Sequence, residues 1–112
     1  ELQKKQEELS QKSLDNKQDP SQLQKEQDQL NKEFEDFKDQ MKDLENLNQD
    51  MQQPQDMEGL KDQQQNIQQD MKQGSQQLQE QQKKKASESQ KNAAKKMQEM
   101  KEKMQQMQQQ SM

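Results

Sequence analysis

The stretch LNKEFEDFKDQMKDLENLNQDM, residues 30–51, decides the fold. Within it Leu30, Phe34, Phe37, Met41, Leu44, Asn48 and Met51 step alternately by four and by three. That spacing places all of them on one stripe of an α-helix, the a/d seam of a coiled coil. Most residues between them are Lys, Asp, Glu or Gln, which suit the solvated side of such a helix. A strand would favour β-branched and aromatic residues, which pack well on a pleated surface. The chain has no Val, Thr, Tyr or Trp, and Ile67 is its one β-branched residue. The fold class is therefore all-α.

Outward from this stretch the pattern repeats. Met57, Leu60, Gln64, Ile67, Met71, Gly74 and Leu78 form a second seam, and Ala93, Met97, Met100, Met104 and Met107 continue the alternation. Between Leu78 and Ala93 the phase slips. Lys83-Lys84-Lys85-Ala86 fits a four-residue insertion, a stutter that locally unwinds a supercoil. Pro54 separates the first two seams and disfavours the helical conformation for the residue before it, so a turn is expected there, with Asp56 capping the next helix. Asp19-Pro20-Ser21 reads as a helix start, with Asp19 as N-cap and Pro20 at the first helical position. The expected architecture is a single coiled-coil segment, residues 1–112, with helices over about 1–16, 20–52 and 56–110. It is a long antiparallel helical hairpin turning near Pro54, its N-terminal arm broken near Asp19-Pro20. The first helix, carrying Leu2, Leu9 and Leu14, continues alongside the C-terminal arm.

Folding at Pro54 pairs positions whose numbers sum to 108. Leu44 then meets Gln64, Met41 meets Ile67, Phe37 meets Met71, and bulky Phe34 faces Gly74, large against small as facing layers fill space. Charge favours the same pairing. Residues 1–56 hold 8 Lys and 15 Asp/Glu, net −7, and residues 57–112 hold 10 Lys and 7 Asp/Glu, net +3. Gln6, Ser13, Gln27, Asn48 and Gln64 fall at core positions, where polar residues specify register at a cost in stability.

Hydrophobic residues make up 21% of the chain, too few for a round core, so they must be concentrated on narrow seams. Cys and His are absent, which removes disulfides, thiolate nucleophiles, the usual zinc sites and the commonest proton carrier near neutral pH. No apolar run approaches the ~20 residues that span a bilayer. Met97, Met100, Met104 and Met107 share a helix face and could be read as soft thioether ligands, but such spacing is more often core or a pliable contact surface. Glu33, Glu35, Asp36, Asp39 and Asp43 diverge around a helix, unlike the converging oxygens of a calcium site. The lysines from Lys83 to Lys103 lack the Arg and aromatic neighbours of nucleic-acid readers. The residues thus point to no cofactor, metal, nucleic acid, membrane insertion or small-molecule substrate, and to no enzyme. They point to self-association or a protein partner. Because the chain opens on Glu1, we read it as part of a larger protein.

The run from Leu23 to Gln110, with its QxxM repeats, resembles the glutamine-rich coiled-coil region of large membrane-anchored bacterial envelope proteins, a domain family of unknown function. The resemblance implies an extracytoplasmic segment of a parent anchored by N-terminal membrane helices, and it brings no catalytic residue. The expected function is a structural or protein-interaction module, a spacer or docking arm. Its packing seam would be Leu30, Phe34, Phe37, Met41, Leu44, Met51, Met57, Leu60, Ile67, Met71, Gly74 and Leu78, and its partner face Met97, Met100, Met104 and Met107. Alternatives are a holdase-like chaperone arm gripping clients with Met side chains, or a soft-metal or polyanion binder.

Overall fold

Leu, Met, Gln, Lys and Glu lose little rotamer freedom in a helix, and the chain is built mostly from them. The computed structural model describes residues 1–49 and 58–110. In these it forms four helices: α1 (Leu2–Ser13), α2 (Pro20–Gln49), α3 (Glu58–Gln79) and α4 (Lys83–Gln110). No strand occurs among the described residues. Asp19 caps α2 as its side chain dictates, accepting a hydrogen bond from the Ser21 N–H at 3.2 Å, with Pro20 as the first helical residue. The helices pack in a ring, α1 on α2, α2 on α3, α3 on α4 and α4 on α1. Successive helices run antiparallel, giving a narrow bundle 54 × 19 × 18 Å.

On α2 and α3, Lys61 pairs with Glu45 and Lys38 donates to Gln68. Each of these edge pairs bridges two adjacent layers of the expected register: 45 with 61 lies between 44/64 and 48/60, and 38 with 68 lies between 37/71 and 41/67. The expected turn at Pro54, the Asp56 cap and the seam positions Met51 and Met57 lie outside the described residues.

The expected single helix over 56–110 is corrected. It breaks at residues 80–82, and α4 turns back along α3. What looked like a stutter is a chain reversal. The Gln82 N–H donates to Gln77 O at 2.7 Å and the Gln81 N–H to Leu78 O at 3.0 Å, while Gln81 sits at φ 62°. This is a Schellman stop, which satisfies helix-end carbonyls and places one residue in the left-handed region. Glycine usually holds that place; here glutamine does, so the sequence carries no glycine or proline signal at the break. Past the turn, the Lys83 ammonium donates to the carbonyls of Asp15 and Gln18 in the α1–α2 loop. It fastens the start of α4 to that loop.

One apolar cluster runs down the axis. Of the expected seam, Leu30, Phe34, Met41, Leu60, Ile67, Met71, Gly74 and Leu78 are buried, and Phe37 is half-buried with its ring 5.8 Å from that of Phe34. Leu44 is a correction: 48% of it is exposed. Leu14 of the expected first helix is also exposed, since α1 ends at Ser13. The Met face is corrected too. Met97 and Met100 are buried in the core, and Met104 and Met107 pack against it. Methionine at seam spacing fills irregular gaps between helices. Ala86, Ala93 and Ala94 are also buried, small residues that let α4 lie close to its neighbours. Gln81→Gly relieves the left-handed strain of ~1–2 kcal/mol and restores part of it as chain entropy, so it should stabilise the fold by ~0.5–1 kcal/mol. A higher urea midpoint at unchanged slope checks this.

Candidate interaction surface

The level at which α1 is held is polar. Gln27 of α2 is fully buried, and its amide is saturated. Its Oε1 accepts from Gln6 Nε2 at 2.7 Å and from Gln90 Nε2 at 3.0 Å, and its Nε2 donates to Gln6 Oε1 at 2.8 Å and to Asn31 Oδ1 at 2.9 Å. One side chain thus joins α1, α2 and α4. The Ser13 hydroxyl lies 2.8 Å from Gln90 Oε1 and 3.0 Å from Leu9 O, and its single proton serves one of them at a time. From α3 the contribution is an absence. A Cβ on Gly74 would lie 3.3 Å from Gln90 Cγ, so glycine leaves the room through which Gln90 reaches the centre. A two-helix hairpin would give that space to Phe34. In a ring of four, α4 takes it, and Phe34 lines a shallow cleft with Gln68 and Met71 instead.

Two ion pairs tie α1 to α2: Lys5 to Glu33 at 3.1 Å and Lys12 to Glu26 at 3.6 Å. On the other flank the Ser87 hydroxyl donates to Ser10 O at 2.6 Å. Both lysine pairs are exposed, so each contributes at most ~1 kcal/mol and weakens with salt. They fix which side of α1 faces α2.

α1 is short. At ~1.5 Å per residue its 12 residues cover ~18 Å, whereas the 30 of α2 cover ~45 Å. The consequence can be followed along one row of α2, because residues seven apart share a face to within ~20°. Leu23 is 0% exposed, Leu30 6%, Phe37 is half-buried, and Leu44 is 48% exposed. The adjacent row contains Glu26 and Glu33, which α1 grips, then Gln40 and Leu47, and Leu47 is 65% exposed. α4 has the same gradient. Gln90 and Met97 are buried, Met104 is partly so, and Lys101, in the row of Ser87 and Ala94, is exposed. Among the described residues no helix lies over the seat between α2 and α4 beyond Leu2.

The other singled-out groups are dispersed. Glu33 is paired with Lys5 and Glu35 accepts from Gln68 Nε2, and among the described residues no three His, Cys, Asp or Glu side chains are placed to hold a metal ion. Lys83 holds loop carbonyls and Lys96 pairs with Asp70 at 2.7 Å. No helix among the described residues is long and apolar enough to cross a membrane. Sequence reasoning missed Gln90, although its signal is present: carried back from Ala93, the four-and-three alternation lands on Gln90 and Ala86. No family model matches the chain, and neither a curated protein nor a solved structure matches it.

Replacing Gln27 with Leu strands the buried amides of Gln6 and Gln90. The expected loss is ~2–4 kcal/mol, most of it recovered in the triple change of Gln6, Gln27 and Gln90 to Leu, where Ser13 keeps Leu9 O and half-buried Asn31 is the one amide that loses a partner. Urea unfolding of the two variants checks this.

Proposed function

We propose that this chain is a non-enzymatic structural and protein-interaction module, a rod-like helical spacer that carries a docking groove. The observation that supports the reading is the α2 row just described, sealed by α1 over Leu23 and Leu30 and left uncovered at Leu44. A row that served only the helices described here would turn polar past Phe37, since exposed leucines add nothing to their core. Leu44 and Leu47 instead extend the apolar stripe past the point where this chain covers it. In a larger membrane-anchored parent of the kind the sequence resembles, the bundle would act as a rigid spacer and the groove as its contact point.

A holdase-like arm would grip clients through exposed methionines, and the burial of Met97 and Met100 leaves little of that surface. Two measurements test the reading together. Circular dichroism and light scattering across a concentration series should give a helical monomer whose helicity does not depend on concentration. An excess of the chain should leave the aggregation of a heat-denatured client unchanged. Helicity that appears only at high concentration would replace the spacer with an assembly formed in trans, and suppressed aggregation would transfer the chain to the chaperone class.

A further inference from the structure

We infer that copies of this chain associate side by side, the outer face of α4 on one copy lying parallel to the outer face of α2 on the next. The inference rests on the four-helix bundle and goes beyond the docking reading. On the solvent side of α2, Asp28, Lys32, Glu35 and Asp39 follow one another by four, three and four residues. On the solvent side of α4, Lys84, Glu88, Lys91 and Lys95 follow the same steps. All eight are exposed, and among the described residues none of them forms an ion pair. The charges that do pair, such as Lys96 with Asp70, lie between adjacent helices of the bundle. Set in parallel with Asp28 against Lys84, the two stripes match at every step: Lys32 meets Glu88, Glu35 meets Lys91, and Asp39 meets Lys95. The one lysine of the acidic stripe thus falls on the one glutamate of the basic stripe. Further along, Lys42 falls against Gln98 and Asn46 against Glu102, so no like charges face each other on the stripe. Other alignments fail. Moving by one heptad sets Lys95 against Lys32 in one direction and Lys91 against Lys42 in the other. Reversing one helix, with α2 and α4 overlapped along their full lengths, sets Glu102 against Asp28.

The two stripes lie at opposite corners of the ring, since α2 and α4 each pack on α1 and α3, so they cannot meet within one chain. A second copy supplies the missing half. Within a chain Gln27 is level with Gln90, to which it is hydrogen-bonded, whereas the matched stripes bring residue 27 level with residue 83. Each copy is therefore displaced along the last by one heptad, ~10 Å. The contact is heterologous and does not close on itself, so it extends as a staggered row. A polyanion is a poorer occupant, because Glu88 interrupts the α4 stripe and the chain carries a net charge of −4. Exposed ion pairs are individually weak and screened by salt, so the row forms at low ionic strength and high concentration. At physiological salt and micromolar concentration the chain remains the monomer expected above. The row joins bundles already folded, so helicity stays constant, which separates it from helix formation in trans.

Sedimentation velocity of the full chain over a concentration series, at ~20 mM and at ~500 mM salt, tests this. Circular dichroism confirms that each variant is folded. At low salt the wild-type chain should sediment faster as its concentration rises, and at high salt it should stay monomeric. E88K/K91E exchanges two neighbours of the α4 stripe, leaves the net charge at −4 and sets two like pairs in the contact. It should weaken association about tenfold or more. K32E/E35K on α2 should do the same. The four changes together restore every match, and association should return to within about threefold of wild type. A wild-type chain that stays monomeric at low salt overturns the inference. Association that survives either exchange, or that the four changes do not restore, overturns the alignment and the inference with it. If the chain stays monomeric at low salt and binds polyphosphate there, a polyanion occupies the α4 face and the inference falls.

Discussion

The buried amide of Gln27 makes four hydrogen bonds, and the arrangement of the helices depends on them. With so few apolar residues, the seams by themselves give weak discrimination between neighbouring registers, since Leu, Met and Ala layers slide past one another at small cost. A saturated amide does not slide. Moving α1 by one turn would remove Gln6 from Gln27 and leave dry polar atoms unpaired at ~1–3 kcal/mol each. The same holds for α4 through Gln90. Gly74 belongs to this constraint, because a Cβ there would crowd Gln90 Cγ at 3.3 Å. Buried polar groups of this sort trade stability for a unique alignment, as a lone polar core residue does in coiled coils.

From that alignment follows the asymmetry of the bundle. Gln6 anchors α1 at a fixed level, Lys5 and Lys12 turn one edge of it toward α2, and Lys83 ties the loop that follows it to α4. With its level fixed, α1 lies along the Leu23–Leu30 end of α2, and among the described residues no fourth helix lies along Leu44. The apolar row of α2 continues regardless. Structure and proposed function therefore meet in a single feature, a stripe longer than the helix that covers it.

Much of this was legible in the sequence. The alternation from Leu30 to Met51 gave α2, Asp19-Pro20 gave its start, and Gln6, Ser13, Gln27 and Gln64 were readable as core polar positions because they continue the seam spacing; all four are buried. The reversal at residues 80–82 was not legible. Its left-handed residue is Gln81, where glycine would have signalled the stop, and the phase slip it causes is indistinguishable from a stutter in a continuous helix. Missing that turn had two consequences. It left Met97 and Met100 without a partner, so they looked like a surface, and it reduced four helices to a hairpin, so Gly74 was matched to Phe34. Leu44 was misplaced for a different reason. Periodicity locates a face of a helix, but it does not say how far along that face a neighbour reaches.

The most direct measurement is of the glutamine side-chain amides themselves, 31 in the chain. In an NMR spectrum of the full chain, the NH₂ protons of Gln6, Gln27 and Gln90 should separate from the crowded exposed set, exchange slowly with solvent and show cross-relaxation between helices, Gln27 to Gln6 and Gln27 to Gln90. If these amides instead fall in the common pool, exchange freely and show no contact across helices, the polar level does not exist in solution and the alignment built on it is wrong.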